Sequence, residues 1–330
     1  MRTKKRRVVF AHRVLAVVCA AVILAFSRSF AASQNDPPPD WAFVAIVSAL
    51  DAKPNGDVTV PGSSLRLSAG GKGNDEFYGT DWFPQDHAPM PDVVARGRPP
   101  QLPACVECHL PSGVGGPESA VIAGLPANYI EQQFEEFRTE RRRCAASRGT
   151  PCATAMARVS QHISALDLTA AAAYYASLEY RSRIRVVESA TVPNTVVSAW
   201  ARVRDPRGGT DPIGQRILEV PDDAVRYFRG DWHTTITAYV PPGSLARGKK
   251  SAENGHGMAP CSSCHGPELK GTPIAPPLAG RSPTYVVRQL YDIQHGFRTG
   301  PSVAPMQPEV AHLTPEDRVD LAAYLASLPN

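Results

Sequence analysis

The chain has 330 residues, 35 Lys and Arg against 31 Asp and Glu, and 43% hydrophobic content, enough for two modest globular domains. Seven of the basic residues lie in the first 31 positions, which hold no acidic one. The remainder therefore carries 28 basic and 31 acidic groups and offers no polycationic surface for nucleic acid. Thirty-two prolines, about twice the usual share, predict long irregular connections.

Lys4 to Arg7, an apolar run from Val14 to Phe26 and the small-residue site Ser29-Phe30-Ala31 read as a secretory signal peptide, residues 1–31, cleaved near Ala31 or Ala32. Thirteen apolar residues are short for ~30 Å of hydrocarbon, so an uncleaved N-terminal membrane anchor is the alternative. Export predicts a periplasmic, oxidising location. Residues 32–92 follow as an extension rich in Pro, Gly and Asp, and Trp82 and Phe83 here, with Trp200 and Trp232 further along the chain, are expected to pack the segments outside the domains against them.

Two segments then follow one template. Cys105, Cys108 and His109 form a Cys-x-x-Cys-His run, as do Cys261, Cys264 and His265. Counting from each histidine, a glycine falls at +15 (Gly124, Gly280), a tyrosine at +20 (Tyr129, Tyr285) and a glutamine at +24 (Gln133, Gln289). Ile130, Phe134 and Phe137 match Val286, Leu290 and Ile293, one face of an amphipathic helix that begins near Pro126 or Pro283.

Ser164-x-x-Asp167 and Thr314-x-x-Asp317 resemble capping boxes opening alanine-rich helices. Met156 lies 18 residues before Tyr174, as Met306 lies 18 before Tyr324, and His162 and His312 each follow their methionine by six. A six-residue excess in the first segment falls in RRRCAASRGTPC, expected as a projecting loop. Cys144 and Cys152 at its ends are most simply a disulfide in an exported protein. Thiolate ligation by Cys152, four residues before Met156, stays open.

On one helical turn, positions i, i+3 and i+4 share a face, so two thiols and an imidazole address one flat ligand. This is the c-type haem attachment signal, with the histidine as one axial ligand of iron. A methionine at matched distance supplies a soft, neutral second ligand that raises the reduction potential. The expected iron ligands are therefore His109, Met156, His265 and Met306, with the haems attached at Cys105, Cys108, Cys261 and Cys264. Met258 is too close to Cys261 to serve, and Met90 lies outside the template. Zinc is disfavoured because 152 residues separate Cys108 from Cys261. A thioredoxin-like exchanger is disfavoured because the surroundings read as helices and loops.

These pieces, CVECHL, IAGLPANYIEQQF, ATAMA and AAYYASL in the first segment and CSSCHG, PLAGRSPTYVVRQL, APMQP and LAAYLASL in the second, resemble the class I cytochrome c family. The resemblance implies an all-α fold of two tandem cytochrome c domains, residues 93–179 and 244–330, separated by an irregular interdomain segment, 180–243. It also implies two covalently bound haem c groups, a methionine carried on a loop, and a backbone carbonyl at Pro276 that accepts the axial histidine's other N–H. Ala120 stands at that position in the first segment, which leaves the orientation of His109 less defined. Pro99 and Pro100 are expected to stop the helix that the second segment continues.

The implied function is electron transport by an exported carrier. Its partners would be redox proteins: a dehydrogenase or quinol-oxidising membrane complex as donor, an oxidase or another cytochrome as acceptor, with peripheral membrane association compatible. The rivals are a dihaem redox enzyme, either a peroxidase or a sulfur-compound oxidase with Cys152 on one iron, and a permanent cytochrome subunit of a dehydrogenase.

Overall fold

In the computed structural model the described residues are 36–45, 47, 48, 53–145, 152–255 and 259–330, with only the backbone described at 152–154. The expected signal peptide, Cys19, His256 and Met258 lie outside them. From Pro39 to Asn330 the chain forms one unit.

The extension contains the short antiparallel pair β1 (Asp57–Val58) and β2 (Leu67–Ser68). The first repeat supplies α1 (Asp92–Arg96), the one-turn α2 (Val106–His109), α3 (Ala127–Arg138), α4 (Cys152–His162) and α5 (Ala165–Ser177). Helix α1 stops at Gly97, two residues before the Pro99–Pro100 pair, as the prolines predict. Helix α3 follows Pro126 and buries Ile130, Phe134 and Phe137. Ser164 caps α5, its hydroxyl accepting from the Asp167 N–H at 3.1 Å.

Between the repeats the expectation of an irregular segment, and with it the all-α class, does not hold. β3 (Ile184–Glu188), β4 (Thr191–Pro193), β5 (Thr195–Ser198), β6 (Ala201–Arg204), β7 (Thr210–Pro212), β8 (Leu218–Pro221) and β9 (Ile236–Val240) build a three-stranded sheet of order β3-β9-β8 and the antiparallel pairs β4-β7 and β5-β6. β3 runs parallel to β9, with Ile184 opposite Ile236, while β8 runs antiparallel to it. The cause is side-chain chemistry: β-branched residues suit the pleated surface, and the runs of Val, Ile and Thr here outweigh the prolines and glycines between them. The short helix α6 (Ala224–Phe228) precedes β9.

The second repeat supplies α7 (Ser244–Asn254), α8 (Ser262–His265), α9 (Pro283–Gln294), α10 (Met306–Val310) and α11 (Pro315–Ser327). Pro283 is the first residue of α9, and Thr314 closes a full capping box with Asp317.

Each repeat has its own core. The extension and the interdomain sheet share another, in which Phe77, Tyr78, Trp82 and Phe83 meet Tyr227, Phe228, Trp232 and Ile236. The aromatics therefore join these two segments to each other, with Leu110 and Val114 of the first repeat at the edge of the cluster. Trp82 Nε1 donates to the Arg229 carbonyl at 2.5 Å and Trp232 Nε1 to Asp86 at 3.2 Å, so these two indole N–H groups keep partners on burial.

Helices α7 and α11 cross at Gly248, where a Cβ would lie 2.0 Å from the Asp320 carbonyl oxygen and 2.8 Å from the Tyr324 Cβ. Within a helix, alanine normally outperforms glycine by up to about 1 kcal/mol. Here the collision is with backbone and wins. Gly248→Ala is expected to destabilise the protein by about 1–3 kcal/mol, and a melting temperature equal to or above the native value would contradict this packing.

Candidate haem centres

The two attachment turns are built alike. His109 N–H donates to the Cys105 carbonyl at 2.9 Å and His265 N–H to the Cys261 carbonyl at 3.0 Å, which brings each first cysteine and its histidine onto one turn. Two left-handed positions recur after each turn with their residue types exchanged: Leu110 (φ 62°) and Gly113 (φ 70°) in the first repeat, Gly266 (φ 78°) and Leu269 (φ 59°) in the second. A leucine in this region is strained. Both leucines are buried, so apolar burial offsets the cost.

His109 Nδ1 lies 3.0 Å from the Ala120 carbonyl oxygen and His265 Nδ1 lies 2.8 Å from that of Pro276. A carbonyl only accepts, so Nδ1 carries the proton and Nε2 presents its lone pair. Replacing Pro276 by Ala120 preserves the acceptor, and the orientation of His109 is as well fixed as that of His265. Burial pulls both imidazoles below their usual range, and the Arg142 guanidinium adds to this at His109. Both rings are held neutral, the form that binds a metal.

None of the four attachment cysteines is tied up in a disulfide. Cys105 and Cys261 are half-buried while Cys108 and Cys264 are exposed. Burial pushes the Cys105 thiol up to about 12. Among the described residues no three His, Cys, Asp or Glu side chains converge as a metal-binding group.

Met156 is in helix α4 rather than on a loop, and Met306 is the first residue of α10. The helical setting of Met156 follows from ATAMARVSQH, which contains no helix breaker after Pro151. Each methionine is half-buried against the core that also takes its own repeat's first cysteine: Met156 with Cys105, Met306 with Cys261. Met90 also packs against the first of these cores. His162 ends α4 and is exposed, as is His312.

The surroundings accommodate a haem. Arg142 donates to Gln133 of its own repeat at 2.7 Å and to Tyr285 and Gln289 of the other at 2.8 and 3.2 Å. Arg298 mirrors it, donating to Gln289 at 3.0 Å and to Tyr129 and Gln133 across the boundary at 3.0 Å each. Both arginines fall 33 residues after their repeat's histidine, and their backbones pair as an antiparallel bridge. The described part of the RRRCAASRGTPC stretch therefore docks on the second repeat instead of projecting, with Arg143 N–H on the Phe297 carbonyl at 2.8 Å and Ala145 N–H on Asp292 at 3.0 Å.

Among the described residues neither Arg142, Arg298 nor the buried Arg281 forms an ion pair with a carboxylate. Arg281 Nε and Gln133 Nε2 are buried without a partner. Although burial works the other way, Arg298 and Arg142 pull the Tyr129 phenol below its usual range. Buried guanidinium groups need anions, and the propionate carboxylates of two haems are the right charge. Sequence reasoning missed this pair, although the shared +33 offset was available to find it.

The cytochrome c family profile matches residues 245–329. Over 234 residues the chain is 24% identical to a thiosulfate dehydrogenase electron acceptor of Thiomonas intermedia, an alignment covering 70% of this chain and 81% of that protein. Over 68 residues it is 40% identical to cytochrome c-554(548) of Halomonas halodenitrificans, covering 20% of this chain and 82% of the other. Among solved structures, thiosulfate dehydrogenase (TsdBA) of Marichromatium purpuratum aligns at a TM-score of 0.45 and 23% identity over 72% of this chain; this chain spans only 39% of that one.

Two haem attachment turns in matched cytochrome c surroundings define a c-type cytochrome. The chain belongs to the cytochrome c family and carries two covalently bound haem c groups. It is an electron-transfer cytochrome.

If Arg142 and Arg298 face haem carboxylates at the boundary between repeats, each favours the reduced, less positive iron. Arg142→Gln and Arg298→Gln are each expected to lower the haem potentials in an optical redox titration. Unchanged potentials in both variants would contradict this placement.

Proposed function

We propose that this chain is an exported, periplasmic carrier that passes single electrons between a dehydrogenase or quinol-oxidising complex and a terminal acceptor. One haem is held by Cys105 and Cys108 with His109 and Met156 on its iron, in the domain 93–179. The other is held by Cys261 and Cys264 with His265 and Met306, in the domain 244–330. Redox chemistry comes from the cofactor; the protein contributes anchoring, axial ligation and exclusion of water.

The observation that carries this reading is the pair of bonds from Nδ1 of His109 and His265 to backbone carbonyls, which leaves Nε2 free in both repeats. The grouping of each methionine with its own repeat's first cysteine supports the sulfur ligands. The name of the Thiomonas relative, an electron acceptor of thiosulfate dehydrogenase, favours a dehydrogenase as donor. Among the described residues no helix is long and apolar enough to cross a membrane.

Cys144 is in a disulfide, and Cys152 is its proposed partner. That pairing removes the thiolate that an enzyme with a Cys152-ligated haem would need.

Met156→Ala and Met306→Ala are each expected to lower the potential of one haem and to remove one half of the sulfur-to-iron charge-transfer absorption of the oxidised protein. Met90→Ala and Cys152→Ser should leave both unaltered. A lost sulfur signature in Met90→Ala, or a changed low-spin spectrum in Cys152→Ser, would move the ligand of the first haem to that residue.

A further inference from the structure

Nine residues after His109 stands Glu118; nine after His265 stands Ile274. Ile274 is 87% exposed, whereas Glu118 is half-buried beneath the interdomain module. Its two carboxylate oxygens accept from the Tyr227 hydroxyl at 3.1 and 3.0 Å. Tyr227 is fully buried, its ring centroid 5.9 Å from that of Tyr78. The Arg183 guanidinium lies 5.4 Å from the Tyr227 ring centroid and donates to the Gly115 carbonyl. Arg288 donates to the Pro117 carbonyl at 2.5 Å and the Ala42 carbonyl at 2.8 Å. The loop bearing Glu118 is thus clamped between the first attachment turn and Ala120, whose carbonyl holds His109.

The second repeat builds the same loop around an isoleucine, so this fold does not require a carboxylate at the position. Glu118 also lines a shallow cleft open to solvent, together with Trp200, Arg202, Glu219 and Arg288. Trp200 Nε1, Arg202 Nε and Glu219 Oε1, which belong to residues lining it, are buried without a hydrogen-bond partner. Glu118 is half-buried at this cleft, so its carboxyl is within reach of solvent.

We propose that Glu118 is a redox-linked proton acceptor for the first haem, exchanging its proton with solvent through this cleft. When a redox partner delivers one electron and ferric iron becomes ferrous, one proton from solvent forms an O–H bond on the Glu118 carboxylate. On oxidation the electron leaves to the acceptor and the proton returns to water. The site's net charge is then the same in both states, which removes the electrostatic penalty of adding an electron near a half-buried carboxylate.

The groups facing Glu118 set its balance. Burial raises its proton affinity, bringing the carboxyl to about 7, while Tyr227, Arg183 and Arg288 work in the opposite sense. Glu219 lines the same cleft, and Tyr78 and Cys108 are within electrostatic reach of Glu118. Oxidised iron carries one more positive charge and lowers the affinity; reduction raises it. The potential of the first haem must therefore fall as pH rises through about 7, and that of the second haem must not follow.

This inference rests on the proposed attachment of a haem at Cys105 and Cys108. The test is an optical redox titration of the full-length holoprotein from about pH 5 to 9, with the first haem identified as the one whose potential moves in Met156→His. A tenfold change in proton affinity between redox states, equivalent to about 59 mV for one electron, is the expected size. Glu118→Gln, which keeps an acceptor for Tyr227, and Glu118→Ile, the residue used by the second repeat, should both flatten the first haem's curve. A flat native curve, or a slope that survives both substitutions with two haems bound, overturns the inference while leaving the haem assignment intact. Two haems remaining in a Cys105→Ala/Cys108→Ala protein would overturn the assignment and the inference together.

Discussion

Everything at each haem centre depends on one hydrogen bond, from the histidine Nδ1 to a backbone carbonyl eleven residues later. It fixes the tautomer, turns the ring, and leaves a neutral nitrogen on the other side. The acceptor belongs to the loop that leads into the helix of Tyr129 or Tyr285. A carbonyl can serve whatever side chain it carries, which is why Ala120 replaces Pro276 without loss of the bond.

The second organising feature is the boundary between the repeats. Arg142 and Arg298 cross it in opposite directions, each reaching a tyrosine and a glutamine of the partner repeat. Holding a buried Arg298 and a half-buried Arg142 against neutral acceptors is unfavourable alone. Haem carboxylates at this boundary would offset the cost and make folding of the two repeats interdependent with haem attachment. The third, β-containing module leans on the first repeat through Leu110 and Val114 and brings Tyr227 and Arg183 to its haem loop. The two centres are therefore similar at the iron and dissimilar outside it.

Much of this was legible in the sequence because the repeat has a countable register. The offsets of Gly124, Tyr129 and Gln133 from His109 are those of Gly280, Tyr285 and Gln289 from His265, and the caps at Ser164 and Thr314 formed as their spacing predicts. What was illegible is non-local. β3 pairs with β9 across an intervening stretch that contains two other strand pairs, and five-residue strands leave little periodicity to read. Arg142 was hidden among three consecutive arginines in a stretch read as an insertion, although it keeps its place relative to His109. Met156, expected on a loop, sits in a helix because its local sequence has no reason to leave one.

The account stands or falls on a sulfur and an imidazole nitrogen reaching each iron. Iron X-ray absorption of the oxidised holoprotein measures this directly. The predicted result is one sulfur neighbour per iron, averaged over both centres, with nitrogen completing the shell; a shell of nitrogen alone, or sulfur at only half occupancy, would contradict it.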